Sequence, residues 1–388
     1  MSAASETIYL DYAATAPLAP GVMEVMQHAL MATDANPASL HGPGREAARL
    51  IDTAAAEVAQ LINAREKDLI WTSGATESIN LALKGVVAFA GTDAHIVSVV
   101  TEHSATLDTL AWLEKHGTRV TRLPVDSDGR IDLGDLESAL ADNATLVSIM
   151  HVNNETGVIQ DIAAIGERCA AHGVDLHVDA AQSLGRLALD VERMQIALLS
   201  LSAHKIGGPK GVGALYVRPR TGLAAQLHGG GQQRGLRSGT LATHQIAGFG
   251  AAAAHIAAIR DSEQKRLAVL RDHLSDALAR ADRVMRNGGS VHTAAPFLNV
   301  SVAGVHGDAL LMGLTDGAPA LAVSSGAACS AAKGQSSYVL RAMGRSPREA
   351  GASIRFSLGA GTTAAQIDAA ADRFVSEVAR LRAIADAA

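Results

Sequence analysis

The chain has 388 residues, long enough for two domains and a sizeable core, and its 48% hydrophobic and 19% charged residues are those of an ordinary soluble globular protein. A net charge of −6 argues against a nucleic-acid or anionic-membrane partner, since both favour a basic surface. Two cysteines, Cys169 and Cys329, cannot build a disulfide framework, and the opening Met-Ser-Ala-Ala-Ser-Glu-Thr has no basic stretch followed by an apolar one; both set the expectation of a cytoplasmic protein.

In chain order, short apolar runs alternate with helical patterns. Asp68–Thr72, Ala94–Val100, Thr145–Met150, Val174–Val178 and Ile196–Leu201 read as strands, while Glu77–Ala88, Ser104–His116 and Ile162–His172 carry apolar residues at helical spacing. Such alternation predicts an α/β fold with a mostly parallel sheet covered on both faces. The alanine-rich run Ile246–Ile259 is too short to span a bilayer and His255 interrupts it. After Arg260 the character changes: a charged helix over Ser262–Ala281, weaker strands, and a last helix over Thr363–Ile384. The expected division is a large domain over 16–260, and a smaller α+β domain formed by 1–15 with 261–388.

Ligands in open α/β sheets gather beyond the carboxyl ends of the strands, and several polar motifs fall there. Thr72-Ser-Gly-Ala-Thr-Glu-Ser78 follows a strand and opens a helix, so its free N–H groups, with Ala75 and Thr76, could hold a phosphate; a plain capped helix start is the competing reading. His103, ending the next strand, could stack on a flat ring or carry a proton, or be one structural histidine among fifteen. Asn154 offers an amide to a carboxylate or ring hydroxyl, or simply forms a turn. Asp179 could keep a pyridine nitrogen protonated, with Gln182 on the ring oxygen; His177 with Asp179 as a metal site lacks further ligands at fitting spacing. Lys205, in Leu199-Ser-Leu-Ser-Ala-His-Lys-Ile-Gly-Gly-Pro-Lys-Gly211, sits at a strand end in a shaped glycine turn, flanked by Ser202 and His204. A lysine there with an acid one strand away suits a Schiff-base amine facing a pyridinium ring, the arrangement of pyridoxal phosphate chemistry. Cys329 lies in the small-residue run Val323–Gln335, where a thiol could act as a nucleophile, whereas Cys169 continues an apolar helix face and is expected in the core. Arg355, on the polar side of the alternating Ser353–Leu358, could grip a substrate carboxylate or form a surface ion pair.

These motifs together resemble the cysteine desulfurases of the nitrogen-fixation and housekeeping class, within the class-V aminotransferase family of fold-type I pyridoxal-phosphate enzymes. The resemblance runs from Tyr9-Leu-Asp-Tyr-Ala-Ala-Thr15 to Arg355, through Ser73–Ser78, His151-Val-Asn-Asn-Glu155, His204-Lys205, Arg237-Ser-Gly-Thr240 and Ser324-Ser-Gly-Ala-Ala-Cys329; Ala203 departs from it, standing where the family usually has glycine. The resemblance implies that Lys205 carries the Schiff base, His103 stacks on the ring, and Asp179 and Gln182 meet its nitrogen and oxygen. Ala75, Thr76, Ser202 and His204 would hold the phosphate, joined by Thr240 from the second subunit of a homodimer, and Asn154 and Arg355 would bind the substrate carboxylate. Cys329 would take sulfur from L-cysteine as a persulfide, leaving alanine, with His103 carrying protons. The sulfur would pass to an acceptor such as an iron–sulfur scaffold. Another enzyme of the same fold, a selenocysteine lyase or an aminotransferase, is the alternative, and so is a non-catalytic platform.

Overall fold

The computed structural model of the chain describes residues 7–32, 34–91, 93–325 and 336–387. Cys329 and the rest of 326–335 lie outside the described residues.

A seven-stranded sheet forms the larger half. Its strands are β2 (Leu69–Thr72), β3 (His95–Val99), β4 (Arg119–Leu123), β5 (Leu146–Met150), β6 (Asp175–Asp179), β7 (Leu198–Ser202) and β8 (Gly213–Val217), in the spatial order β2-β8-β7-β6-β5-β3-β4. All pairings are parallel except those of β8, which runs antiparallel to both its neighbours. The strands are apolar on both faces because helices cover both. Val97, Val99, Val147, Ile149, Leu199 and Leu201 pack with α2 (Gly42–Gln60), α5 (Leu133–Ala141) and α6 (Ile162–Ala171). Ile70, Ile96, Leu146, Leu198 and Leu215 pack on the opposite face with α3 (Ala75–Ala90) and α4 (Ser104–Lys115). Cys169 lies in the first of these layers, and burial pushes its thiol up to about 12. This is the α/β architecture that the strand–helix alternation predicts.

Two strands of this sheet escape the sequence reading. β4 is a half-exposed edge strand, Arg-Val-Thr-Arg-Leu, whose polar residues mask its period. β8 is a buried apolar run between two glycine-rich turns.

The expected break at Arg260 is not a break in the chain. A single helix, α7 (Thr243–Leu278), runs through it over 36 residues, about 54 Å at the ordinary rise. Its first half, with Ile246, Phe249 and Ala252, joins the core of the large sheet; its second half, with Leu267, Leu270, Leu274 and Leu278, joins a different core. The change of character at Arg260 marks a change of packing partner, since Pro is absent from the run and alanine favours helix throughout. Small residues let the first half approach α2 closely: a Cβ on Gly250 would meet Ala54 Cα at 2.5 Å.

The second core is built on an antiparallel sheet ordered β12 (Ser324–Ser325), β13 (Ser353–Ser357), β10 (Phe297–Val302), β9 (Val284–Asn287). Helices α8 (Gly307–Thr315) and α11 (Ala364–Ala387) cover it, the latter through Ile367, Phe374 and Val378. Between β12 and β13 lie the short helices α9 (Tyr338–Ala342) and α10 (Pro347–Gly351). At the amino end, β1 (Ile8–Tyr9) pairs in parallel with β11 (Leu321–Ala322), so Ile8 and Leu10 belong to this second core. The chain then crosses to the large sheet. The division 16–260 against 1–15 with 261–388 is the one we propose for the domains.

Candidate active site

A cavity of about 760 Å³ opens beyond the carboxyl ends of the parallel strands. Ala75, Thr76, His103, Asn154, Asp179, Gln182, Ser202, His204, Lys205 and Arg355, widely separated in sequence, all line it. Thr240 does not: it sits exposed on the outside of its own chain.

Lys205 ends a single 3-10 turn, Ala203–Lys205, directly after β7. The turn is tightly closed; a Cβ on Gly208 would meet Ala203 Cβ at 2.8 Å. The Lys205 Nζ donates to the carbonyl oxygens of Ala13 and Ala14 at 2.6 and 2.8 Å. Burial, reinforced by the nearby Arg186 and Arg355 guanidinium groups, pulls its ammonium down to about 8. A lysine so placed gives up its proton far more readily than a surface lysine, which is what a Schiff-base amine needs.

Asp179 ends β6, the strand next to β7, where its Oδ1 accepts the Ala181 N–H at 2.9 Å. Burial holds its carboxyl above the usual range, against the pull of that N–H, His103 and Lys205. An added positive charge beside it would be strongly favoured. His103 is the N-cap of α4: its Nδ1 accepts the Ala105 N–H at 3.1 Å, so the neutral ring carries its proton on Nε2. Burial lowers its pKa and keeps it neutral. Gln182 is oriented from both ends, its Nε2 donating to Ala13 O and its Oε1 accepting from Arg186, each at 2.9 Å.

At the other end of the cavity α3 begins at Gly74 with no side-chain cap, so the capped-start reading does not hold and its first-turn N–H groups are left for an anion. Glu77 instead turns back to accept the Ser73 N–H at 2.7 Å and is itself held by Arg237 Nε at 2.8 Å. His204 Nδ1 lies 3.2 Å from Thr15 Oγ1, and burial with Lys205 and Lys210 nearby lowers its imidazole to about 4.

The surface ion-pair reading of Arg355 is also corrected. Its side chain is 5% exposed; Nη2 donates to Asp11 Oδ1 at 2.7 Å and Nη1 to Asn154 O at 2.8 Å. Arg355 Nε and Asn154 Oδ1 are both buried without a hydrogen-bond partner. The open Arg355 Nε–H is suited to a small carboxylate ligand, and Asn154 Oδ1 can accept from a donor group of the same ligand.

Sequence reasoning missed Asp11, Arg186 and Glu155 as site residues. Asp11 and Glu155 stand inside motifs that carry the resemblance, Tyr9–Thr15 and His151–Glu155, but nothing local says what they touch. Burial pushes the Glu155 carboxyl up to about 7, opposed by a hydrogen bond from Ser337 and by Arg355. His177 spends both ring nitrogens on Ser148 and Ser200 inside the sheet, and among the described residues no group of three His, Cys, Asp or Glu could hold a metal ion. No helix among the described residues is long and apolar enough to cross a membrane.

The set fits a flat, phosphorylated pyridine: an acid for the ring nitrogen, a neutral imidazole for its face, an easily deprotonated lysine, and an uncapped helix start for the phosphate. Comparison with known proteins agrees. The aminotransferase class-V model matches residues 8–370. The cysteine desulfurase IscS of Proteus mirabilis (strain HI4320) is 51% identical over 381 residues, 97% of this chain and 93% of its own length. That of Vibrio cholerae serotype O1 (strain M66-2) is 50% identical over 383 residues, 97% of this chain and 94% of its own. Among solved structures, a NifS-like protein superposes with a TM-score of 0.90 at 32% identity, covering 97% of this chain and all of that one. SspA in complex with cysteine superposes at 0.82 and 35% identity, covering 91% and 99%. The chain therefore belongs to the aminotransferase class-V family, among its pyridoxal-phosphate-dependent cysteine desulfurases.

Proposed function

We propose that the chain takes sulfur from L-cysteine, releasing L-alanine and leaving a persulfide on Cys329, as a cytoplasmic homodimer that passes the sulfur to an acceptor protein for iron–sulfur cluster assembly or another thio-cofactor route. The observation that carries this reading is the convergence of Lys205, Asp179 and the Asn154–Arg355 pair on one cavity.

When bound, pyridoxal phosphate supplies an electron sink that acidifies the Cα–H of an amino acid and weakens its Cβ–S bond. Asp179 would hold the ring nitrogen in its protonated form, Gln182 the ring oxygen, and His103 the ring face. Ala75, Thr76, Ser202 and His204 would hold the phosphate, with Thr240 reaching in from the second subunit. Arg355 would seat the substrate carboxylate through the Nε–H left open, and Asn154 through its amide N–H, fixing the Cα–H relative to Lys205. Lys205 Nζ, its proton held only up to about pH 8, is the base for that hydrogen. The neutral His103, with its proton on Nε2, can pass a proton between thiol and product. The Cys329 thiolate forms an S–S bond to the substrate sulfur as the Cβ–S bond breaks. The bond pair stays with carbon, which gains protons and leaves as alanine.

The test is to incubate the protein with pyridoxal phosphate and L-cysteine, then measure alanine and the mass of the peptide containing Cys329. One alanine per sulfur added to Cys329 is expected, and Cys329→Ser should abolish both. Absence of alanine overturns the reading; alanine-independent amino transfer that survives in Cys329→Ser would make the chain an aminotransferase.

A further inference from the structure

Glu155 is buried, follows Asn154 directly and lines the cavity, yet no step above uses it. Its Oε2 accepts a 2.5 Å hydrogen bond from Ser337 Oγ, which in turn accepts the Leu340 N–H at 3.1 Å and so caps α9. Ser337 is itself fully buried. The next residue, Tyr338, also lines the cavity, and its hydroxyl donates to the carbonyl of Glu102 at 2.5 Å, one residue before His103. The Glu155 backbone is held as well: its carbonyl accepts Asn299 Nδ2 at 3.1 Å, and Asn299 pairs in register with Arg355.

Ser337 follows Cys329 by eight residues. On the other side of Cys329, Ser324 pairs in register with Arg355 on β13. Both chain ends leading to Cys329 are thus fastened against the residues that would seat the substrate carboxylate, one through a strand pairing and the other through the Glu155 side chain. A carboxylate is costly to bury, and the Ser337 hydroxyl is the side-chain partner that offsets this cost.

We propose that Glu155 is a positioning residue for sulfur transfer: by holding Ser337, it sets where the Cys329-bearing segment leaves the cavity wall, and so the approach of the thiol to the substrate sulfur. The inference rests on the desulfurase reading above.

The experiment compares wild type, Glu155→Gln, Ser337→Ala and the double variant, all loaded with pyridoxal phosphate. It reads the steady-state alanine rate, the single-turnover mass gain on Cys329 and the thermal unfolding midpoint. Expected are a KM for cysteine within about twofold of wild type, a kcat and a Cys329 mass-gain rate about tenfold lower in each single variant, and a double variant no slower than the slower single. The Ser337→Ala arm carries the test if Glu155→Gln does not fold. Losses that multiply in the double variant, a raised KM with kcat kept, or unchanged rates in both singles would overturn the proposal while leaving the desulfurase reading standing. Wild type that makes no alanine would overturn that reading, and the inference with it.

Discussion

At the scale of single residues, the site works by burying charges and then limiting their partners. Lys205 shows the consequence most directly. Its pKa in the folded protein is about 8 against an ordinary 10.5, so between those values the unfolded chain binds more protons than the folded one. Stability of the cofactor-free protein therefore rises with pH across that window as the buried charge is lost, by about 3 kcal/mol in full. Lys205→Met has no such proton to lose. Denaturant unfolding of both proteins from pH 8 to pH 10.5 should show the difference moving by that amount in favour of wild type; a constant difference would mean the lysine is not desolvated. The same economy of partners explains Arg355, whose guanidinium is steadied by Asp11 and Asn154 while Nε stays open. Its strand alternation was legible in sequence, with Ile354, Phe356 and Leu358 in the second core; its pairing with a residue 344 positions away was not.

At the scale of elements, the phosphate end depends on how closely β8 approaches the start of α3. A Cβ on Gly213 would come within 2.5 Å of Leu201 O and 2.7 Å of Gly74 Cα, both backbone atoms that cannot swing aside. Gly213→Ala should therefore push the α3 start away from Ser202 and weaken pyridoxal phosphate binding about tenfold, in line with the strain of overpacking. Dialysis followed by retitration against the visible absorbance measures this; unchanged affinity would show that the α3 start does not hold the phosphate. The strands bearing Asp179 and Lys205 were readable because a doubly covered parallel strand is a continuous apolar run. Helix α7 was not readable as one element, because its two halves face different cores and its pattern changes midway.

At the scale of the whole molecule, one chain completes most of the cavity but leaves Thr240 exposed on its outer surface. Apolar side chains are also exposed along α1 (Val22–Ala32), with Leu30 at 54% and Met31 at 76%. We propose that a homodimer covers these surfaces. Sedimentation should give a dimer, and Leu30→Asp with Met31→Asp should shift it to monomer and lower pyridoxal phosphate affinity at the same time. A monomeric wild type with full affinity would remove the partner-subunit role of Thr240.

The sequence alone determined the α/β class, the strand-end positions of His103, Asn154, Asp179 and Lys205, and the chemistry those side chains can perform. These follow from periodicity and from residues adjacent along the chain. Tertiary structure decided which side chains meet: the Ala13 and Ala14 carbonyls on Lys205, Asp11 on Arg355, and Ser337 on Glu155. Each joins segments more than a hundred residues apart, and burial makes each bond matter. Neither the partner nor the loss of water is written in local spacing; both appear only when the chain crosses between its two cores.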